Sequence, residues 1–458
     1  MGSASDMPPF PHQRAPRRAA CLAVCLACVA CRSYNDKTAG ALEDFRRGRF
    51  DVARDAYATG KLTDSGFLAG AEAGMVALTA GDWEGALEHL GRAAGEVAEI
   101  EDRAIASPEQ AGEILVSWVV NEGVKAYYGE GYERVQLHAA LAIAYFGTGA
   151  SESAMVEARR ANLLLESEEK LYDKDYRAGG LGHLISAIAY EILQEPNDAY
   201  IDYARMESKG LAPELVGPAL VRLARSLGFS EEAERWQARY GDGEPLAPDA
   251  ARIIVIAGIG LGPYKRDTTL TIPTPDGLIQ WSVPEYVRRP QPVPHVALEV
   301  RDAGSPVRTV IVEDVAEIAR RNLADRIAWL GAKSAVRAWL KYAVTDQLGD
   351  RYGTWARVAG ALFTFATERA DLRAWHTLPD TWQAARLFVD PGVHRLWIHA
   401  PGAGSVDVGD RALEPGETMF VFVRTVEHHL YVHPVGGVAI APVTGPANPS
   451  QSETGASR

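Results

Sequence analysis

The chain has 458 residues, of which 47% are hydrophobic and 23% charged, and its formal net charge is −13 at pH 7. This composition is typical of a soluble globular protein with room for two or three domains. No block or stripe of lysine and arginine is present, so nucleic acid is not an expected partner. Nor does the sequence contain an apolar run of about 18 residues or more, which a spanning helix would need.

All four cysteines lie between positions 21 and 31, in the stretch RAACLAVCLACVACRSYND. Arg14, Arg17 and Arg18 precede an apolar segment of 12 residues, 19–30, which is too short to span a bilayer but suits the apolar core of a signal peptide. A metal site or a disulfide framework is less favoured, because only leucine, valine and alanine separate the cysteines. The pattern therefore predicts a lipoprotein signal peptide over residues 1–30.

The end of this segment, Val29-Ala30-Cys31, resembles the lipobox of bacterial lipoproteins, in which cleavage leaves the cysteine as a lipid-bearing N-terminus. We predict lipidation at Cys31, with Cys28 as the rival acceptor; Cys28 also stands where the lipobox prefers leucine. Because arginine rather than aspartate follows Cys31, the resemblance implies a lipid anchor in the bacterial outer membrane, with the protein facing the periplasm. Residues 31–40 are predicted to be a polar tether.

A repeated spacing predicts helices over residues 41–240. At Gly48, Gly81 and Gly149, small, apolar or aromatic residues follow the glycine at offsets 5, 9 and 12, and weaker copies start at Gln194 and Gly228. These offsets place a turn before a helix and put the later residues on its inner face. The pattern resembles tetratricopeptide repeats, whose paired helices form a groove for a peptide or protein, although alanine-rich amphipathic helices would imitate it. A long insert makes the array irregular.

Residues 241–252 are rich in proline, glycine and aspartate and predict a linker. An α+β domain follows over 253–434, with strands up to residue 313, then helices, then further strands after Pro379. Residues 435–458 lack periodicity and are predicted to be disordered. The expected fold is therefore multidomain, with an all-α tetratricopeptide-like helical repeat followed by an α+β domain.

Motifs that would indicate catalysis are weak. The stretch GIGLGPYK (258–265) has neither the dinucleotide-binding nor the phosphate-loop spacing, and a strand-forming stretch follows it where a helix would be needed. In VEHHLYVH, only His429 and His433 would share one face of a strand, which is too few ligands for a metal site. We therefore expect no catalytic residue, no metal and no cofactor.

A charged cluster near the end of the predicted helices is the best candidate site. Its members lie beside Trp375 and Trp382 and are Glu368, Asp371, Arg373 and Arg386. Opposite charges at close spacing fit a buried ion network that stabilises a helix-to-strand junction. They fit equally the lining of a cleft for a partner or ligand, and both interpretations stay open.

Two stretches, 127–162 (YYGEGYERVQLHAALAIAYFGTGASESAMVEARRAN) and 367–392 (TERADLRAWHTLPDTWQAARLFVDPG), resemble hallmark segments of a poorly characterised family of bacterial lipoproteins. That family combines a lipobox, tetratricopeptide-like helices and a C-terminal α+β domain, and the resemblance covers about 40–435. It implies an exported, membrane-tethered protein without established enzymatic activity. We expect a periplasmic protein-interaction scaffold in cell-envelope assembly or regulation, with an envelope protein as partner. The alternative is an enzyme or small-ligand binder with a site around Arg373 and Arg386.

Overall fold

The structure is a computed structural model that describes residues 33–106, 127–326 and 371–440, apart from 173, 175, 246, 248, 275 and 276; for residues 270–283 the side chains are not described. The signal-like segment with Cys31, the helices predicted between 334 and 370, and residues 441–458 therefore lie outside the described residues. Within the described residues, a helical part precedes a sheet-rich part, as the sequence predicts.

The helical part ends at Tyr240. Its helices are α1 (Tyr34–Arg46), α2 (Phe50–Ala58), α3 (Gly66–Ala80), α4 (Trp83–Ala106), α5 (Gly131–Gly147), α6 (Ser151–Tyr172), α7 (Gly180–Ile192), α8 (Pro196–Ser208), α9 (Pro213–Leu227) and α10 (Ser230–Tyr240). Successive helices pack as hairpins. We call α3, α5, α7 and α9 the inner helices and α4, α6, α8 and α10 the outer helices.

The predicted turn positions of these hairpins are confirmed. Each turn residue adopts a left-handed conformation, which glycine tolerates at little cost, with φ values of 71° at Gly48, 78° at Gly81, 80° at Gly149, 61° at Gln194 and 74° at Gly228. Five residues after each of them stands a buried alanine: Ala53, Ala86, Ala154, Ala199 and Ala233. The small side chain lets the helices of a hairpin approach closely at this point.

The prediction of a tether over 31–40 is wrong for residues 34–40, which form the first turns of α1. Ser33 is the N-cap of this helix: its hydroxyl accepts a hydrogen bond from the Asp36 N–H (3.2 Å), and the Asp36 carboxylate accepts one from the Ser33 N–H (3.2 Å). This capping box starts a helix whose inner face buries Leu42 and Phe45. Polar composition alone did not distinguish a tether from the solvent face of a helix.

The sheet-rich part begins at Ala251. Its elements are β1 (Ala251–Ile259), β2 (Tyr264–Thr274), β3 (Gly277–Val287), β4 (Ala297–Val300), β5 (Val307–Arg308), β6 (Val310–Asp314), a helix α11 (315–326), β7 (Thr381–Val389), β8 (Gly392–Ala400), β9 (Gly404–Leu413), β10 (Thr418–Val426), β11 (His429–Val435) and β12 (Val438–Ile440). The predicted strands are confirmed, whereas β9 escaped prediction because GSVDVGDRAL is polar and carries two glycines. Residues 435–440, predicted to be disordered, instead complete β11 and form β12.

These strands form two five-stranded sheets and a separate two-stranded ribbon. The inner sheet has the order β11-β10-β1-β7-β6, and the outer sheet has the order β12-β9-β8-β4-β5. At the centre of the inner sheet, β1 runs parallel to β10 and antiparallel to β7. The ribbon pairs β2 with β3.

The inner sheet is buried on both faces. Ile253 and Val255 of β1 pack toward the outer sheet, whereas Ile254 and Ile256 join the core of the helical part. This two-sided burial accounts for the continuous apolar run of β1. On the helical side, Phe420 stacks on Phe146 of α5 with ring centroids 4.4 Å apart, and such contacts join the two parts in one core.

The inner helices lie between the inner sheet and the outer helices. Almost every residue of α3, α5 and α7 is buried, whereas α4 buries one face. The groove predicted on the helical repeat is therefore not a free binding surface, because the inner sheet of the same chain covers the inner helices. Repeat spacing cannot reveal this, since it reports only how each hairpin packs on the next.

Candidate functional site

The structure separates the predicted charged cluster into two places. Glu368 lies outside the described residues. Asp371 and Arg373 form an ion pair of 2.7 Å at a partly exposed position, and the Arg373 guanidinium lies 5.0 Å from the ring centre of Tyr127. Arg386 is on β7 and contacts other partners. Of the three described members, Arg386 therefore lies apart from the pair of Asp371 and Arg373, and these three do not form the single network that their spacing suggested.

Arg386 is the centre of a buried ion network that also contains Arg222, Arg252, Glu191 and Glu244, and we call these five residues the Arg386 network. The guanidinium of Arg386 donates hydrogen bonds to Glu244 (2.6 Å) and Glu191 (3.2 Å). Arg222 and Arg252 reach the same Glu191 carboxylate at 2.7 and 2.8 Å. The network connects β7 and β1 of the inner sheet to the inner helices α7 and α9.

The charges of this network stabilise one another. Burial alone would raise the pKa of Glu191, but the three arginines outweigh it and hold that pKa below its usual range. Arg386 is only 2% exposed in its side chain, and it also donates to the Tyr203 hydroxyl (2.7 Å). A ligand would have to displace these internal partners. The geometry thus fits a fastening between the helical and sheet parts.

A second buried polar site was not foreseen from the sequence. Two glutamates of the inner helices bind three consecutive backbone N–H groups just before β7. The N–H of Trp375 donates to Glu133 (2.8 Å), and those of His376 and Thr377 donate to Glu72 (2.8 and 2.9 Å). We call Glu72, Glu133 and the backbone of residues 375–377 the glutamate clamp. It fastens the chain to α3 and α5 at the point where it returns to the inner sheet.

The glutamate clamp concentrates polar groups in a dry environment. Burial raises the pKa of Glu72 to about 7, although the two N–H groups and the hydroxyl of Tyr34 (2.9 Å) favour its charged form. The pKa of Glu133 is also raised, because the effect of burial outweighs the opposite effect of the nearby Lys265 ammonium. The Lys265 ammonium is itself buried and pairs with Glu130 at 2.5 Å. Burial thus disfavours the charged form of both carboxylates, whereas the hydrogen-bond donors around them favour it.

Beside Glu72, two buried polar atoms have no hydrogen-bond partner within the described part of the chain: the Tyr57 hydroxyl and Nε2 of His376. The other ring nitrogen of His376 lies 3.4 Å from the Thr38 hydroxyl. Burial and the nearby arginines hold the pKa of His376 well below its usual value, so the imidazole is neutral. A neutral imidazole and a phenol are groups that could hold a small polar molecule.

Two small cavities lie among the described residues. Each has a volume of about 10 Å³, which is about the space of one water molecule. One is apolar, between Trp83, Phe146 and Phe420, and the other lies between Gln136, Glu168 and Glu313. Neither opens onto the glutamate clamp or the Arg386 network.

The histidines and the glycine-rich stretch have structural partners. Nε2 of His433 contacts the carbonyl of Thr79 (2.9 Å), and no group of three or more possible metal ligands occurs within residues that the structure describes. As predicted, a strand rather than a helix comes after the glycines of GIGLGPYK, since β2 begins at Tyr264. The buried guanidinium of Arg424 donates to the carbonyls of Gly258 and Thr377 (3.0 Å each), which ties this loop to the glutamate clamp.

Sequence reasoning missed Glu72, Glu133 and Lys265, and of these three only Glu72 carries a visible signal. Glu72 is the single charged residue of the apolar helix GFLAGAEAGMVALTA. Glu133 and Lys265 stand next to other charged residues, Arg134 and Arg266, so the sequence does not mark their burial. A lone charge on a wholly apolar element is costly unless it is paired, so such residues indicate a buried polar contact. The identity of the partner cannot be deduced from this signal.

Comparison of the sequence with models of protein families and with curated proteins finds no match. Of the helices that the structure describes, none combines the length and the apolar character required to cross a membrane.

Proposed function

We propose that this protein is a non-enzymatic, lipid-anchored scaffold of the bacterial cell envelope that binds another envelope protein. Under this proposal it belongs to the lipoprotein family that it resembles, and its hairpins are of the tetratricopeptide type. The left-handed turn residues and the buried alanines that follow them support the assignment of the hairpins. The signal-like segment that ends at Cys31 supports export and anchoring.

The observation that carries the scaffold proposal is the way in which the helices and sheets are fastened together. They share one apolar core, and the Arg386 network and the glutamate clamp join them at two further places. A rigid body of this kind presents a fixed outer surface to a partner. The candidate charges that a ligand cleft would use, Arg386 above all, are instead paired internally, which favours the scaffold over the enzyme.

Because the inner sheet covers the inner helices, the partner is proposed to bind the outer helices. Val156 and Leu163 of α6 and Ile201 of α8 are exposed apolar residues, at 59%, 45% and 42%. Val156 and Ile201 both stand seven residues after the turn residue of their hairpin, so they occupy equivalent positions in consecutive hairpins. We call these three residues the outer patch.

Site-specific crosslinking in cells tests the outer patch. A photo-reactive amino acid at Val156 or Ile201 should yield the same protein adduct, and Val156→Asp should abolish the adduct formed from Ile201. Val393, which is 60% exposed on β8 of the outer sheet, is the matched control position. An adduct that forms equally at Val393, or none at the outer patch, would contradict this location for the partner.

The anchor is tested separately by incorporation of labelled fatty acid. Cys31→Ala should abolish labelling, whereas Cys28→Ala should leave it unchanged. Labelling that persists in Cys31→Ala and is lost in Cys28→Ala would move the anchor to Cys28. If the parent protein itself incorporates no labelled fatty acid, the protein is not a lipoprotein.

A small-ligand binder is the second candidate, because the Tyr57 hydroxyl and Nε2 of His376 are buried without partners in the described residues. Native mass spectrometry of protein purified from its host should then show a retained small molecule. His376→Ala should release that molecule, while Thr38→Ala, which removes the other contact of the imidazole, should not. A parent protein that carries no retained small molecule would exclude this candidate.

A further inference from the structure

Arg289, which follows strand β3, is a half-buried arginine that forms no ion pair with another described residue. One of its terminal nitrogens donates to the carbonyl of Gly262, and its guanidinium lies 5.0 Å from the ring centre of Tyr264. By contrast, Arg222 and Arg252 each contact a carboxylate. The remaining N–H groups of Arg289 are therefore donors without an acceptor in the described part of the chain.

Arg289 lies close to the two buried polar atoms that have no partner among the described residues, the Tyr57 hydroxyl and Nε2 of His376. Leu261, the neighbour of Gly262, packs in one apolar cluster with Tyr57. Burial raises the pKa of Tyr57 and lowers that of His376, and the charge of Arg289 is near enough to lower the pKa of both. We call the Arg289 guanidinium, the Tyr57 hydroxyl and Nε2 of His376 the Arg289 site.

The Arg289 site has an excess of positive charge. Burial and then the like charge of Arg46 lower the pKa of Arg289 to about 10, and Arg46 itself pairs with Glu427 at 3.2 Å. The carboxylate that acts on Arg289 is Glu72, and burial raises the pKa of Glu72 to about 7, so that this group is partly protonated near neutral pH. An unpaired charge in a protein interior is costly, and a bound anion would therefore stabilise this site.

The hydrogen-bond pattern defines which groups such an anion would carry. The Thr38 hydroxyl donates to the carbonyl of Tyr34 (2.9 Å), so the imidazole is assigned as the donor at the contact of 3.4 Å between this hydroxyl and Nδ1 of His376. In a neutral imidazole this assignment leaves Nε2 as an acceptor, whereas the Tyr57 hydroxyl and the Arg289 guanidinium are donors. The site thus offers donors to an anionic oxygen and an acceptor to a hydroxyl group.

We propose that the Arg289 site binds a small oxyanion that also carries a hydroxyl group, such as a hydroxy acid or a hydrogen phosphate. This inference rests on the second candidate function, a small ligand at Tyr57 and His376, and names the chemical class of that ligand. The anionic oxygens accept hydrogen bonds from Arg289 and Tyr57, and the hydroxyl donates to Nε2 of His376. A charge-assisted hydrogen bond is about twice as strong as a neutral one, so Arg289 supplies the largest share of the binding.

Urea unfolding at pH 7 tests the proposal, because an anion that binds only the folded protein raises the unfolding midpoint as its concentration rises. The protein is first unfolded and refolded to remove any molecule from its host. The probes are two pairs that differ in a hydroxyl group, glycolate against acetate and inorganic phosphate against sulfate, at equal ionic strength. Glycolate or phosphate should raise the midpoint at a concentration about tenfold lower than its partner needs. A response to glycolate alone identifies a hydroxy acid, and a response to phosphate alone identifies a phosphate group.

Three variants assign the response to the Arg289 site. Arg289→Gln should weaken anion binding about tenfold or more, because a charged hydrogen-bond donor is lost. Tyr57→Phe should also weaken it, and without an anion this variant should be at least as stable as the parent, because it removes a buried hydroxyl that has no partner within the described residues. The matched control is Arg266→Gln, an equal change of charge at an exposed arginine of β2 that pairs with Glu285 (2.9 Å), and its response should equal that of the parent.

Three results would overturn the proposal. An unchanged midpoint with all four anions would show that no such oxyanion binds. An equal rise in the parent and in Arg289→Gln would place the anion elsewhere on the protein. Equal potency within both pairs of probes would mean that the ligand needs no hydroxyl group. Native mass spectrometry scores the second candidate function independently: a retained molecule that His376→Ala releases, in a protein that responds to none of the anions, would refute this inference alone, whereas no retained molecule and no response would refute both.

Discussion

Replacing Glu191 with alanine should show whether the Arg386 network is a structural fastening or a functional site. Glu191 is a nearly buried residue of α7 whose carboxylate contacts Arg386 (3.2 Å), Arg222 (2.7 Å) and Arg252 (2.8 Å). Its removal leaves three guanidinium groups with one remaining carboxylate, that of Glu244. Unlike truncation of an arginine, this change leaves an excess of positive charge in the interior.

The magnitude follows from burial. Stranding a buried charge costs about 3–5 kcal/mol. Because Arg222 and Arg252 retain 12% exposure of their side chains, water relieves part of this cost, and we expect about 3 kcal/mol. The pKa of Glu191 is depressed in the folded protein, so its contribution is present above the ordinary value of 4.5 and is lost as the pH falls through the lower folded value. The difference between parent and variant should therefore shrink in acid.

Urea unfolding at pH 7 and in acid, followed by circular dichroism, measures this effect. The control is Glu234→Ala, an equal change in charge at an exposed position of α10, which should shift the free energy of unfolding by less than about 0.5 kcal/mol. If Glu191→Ala unfolds at the same urea concentration as the parent but loses its crosslinked partner, the structural interpretation is refuted and the network is a binding site.

Three further stability predictions use the same assay. Ala154→Leu should cost about 1–3 kcal/mol, because Ala154 is fully buried at a hairpin crossing; a neutral result would contradict the close approach of the helices. Asp371→Ala should cost no more than about 1 kcal/mol, because its pair with Arg373 is partly exposed, and a loss comparable to that of Glu191→Ala would show that the pair is buried. The raised pKa of Glu72 means that the folded protein retains a proton between pH 4.5 and 7 that the unfolded chain has released, so stability should fall by about 3 kcal/mol as the pH rises through this window. Glu72→Gln should lack that decline, and an identical pH profile in parent and variant would refute the assignment to Glu72.

Local features of this fold could be predicted from the sequence because neighbouring residues determine them. A left-handed turn needs glycine or a tolerant residue, which is why Gly48, Gly81 and Gly149 marked the hairpins. The apolar run of β1 that follows Arg252 is likewise typical of a buried strand. The error over residues 34–40 was also local, since a capping box at Ser33 was visible but the polar composition was given more weight.

The sequence by itself thus determined where helices turn, which strands are buried, and that helices precede sheets. Only the tertiary structure decided which surfaces and charges meet. Glu72 contacts backbone groups more than 300 residues away, and Arg386 lies far from Asp371 because it sits within β7 and faces the helices. Such contacts depend on how whole helices and strands pack. The residues next to a given residue in the sequence therefore do not identify a partner that is distant in the sequence. The covering of the inner helices by the inner sheet follows for the same reason: apolar faces bury against whichever complementary face the fold brings to them.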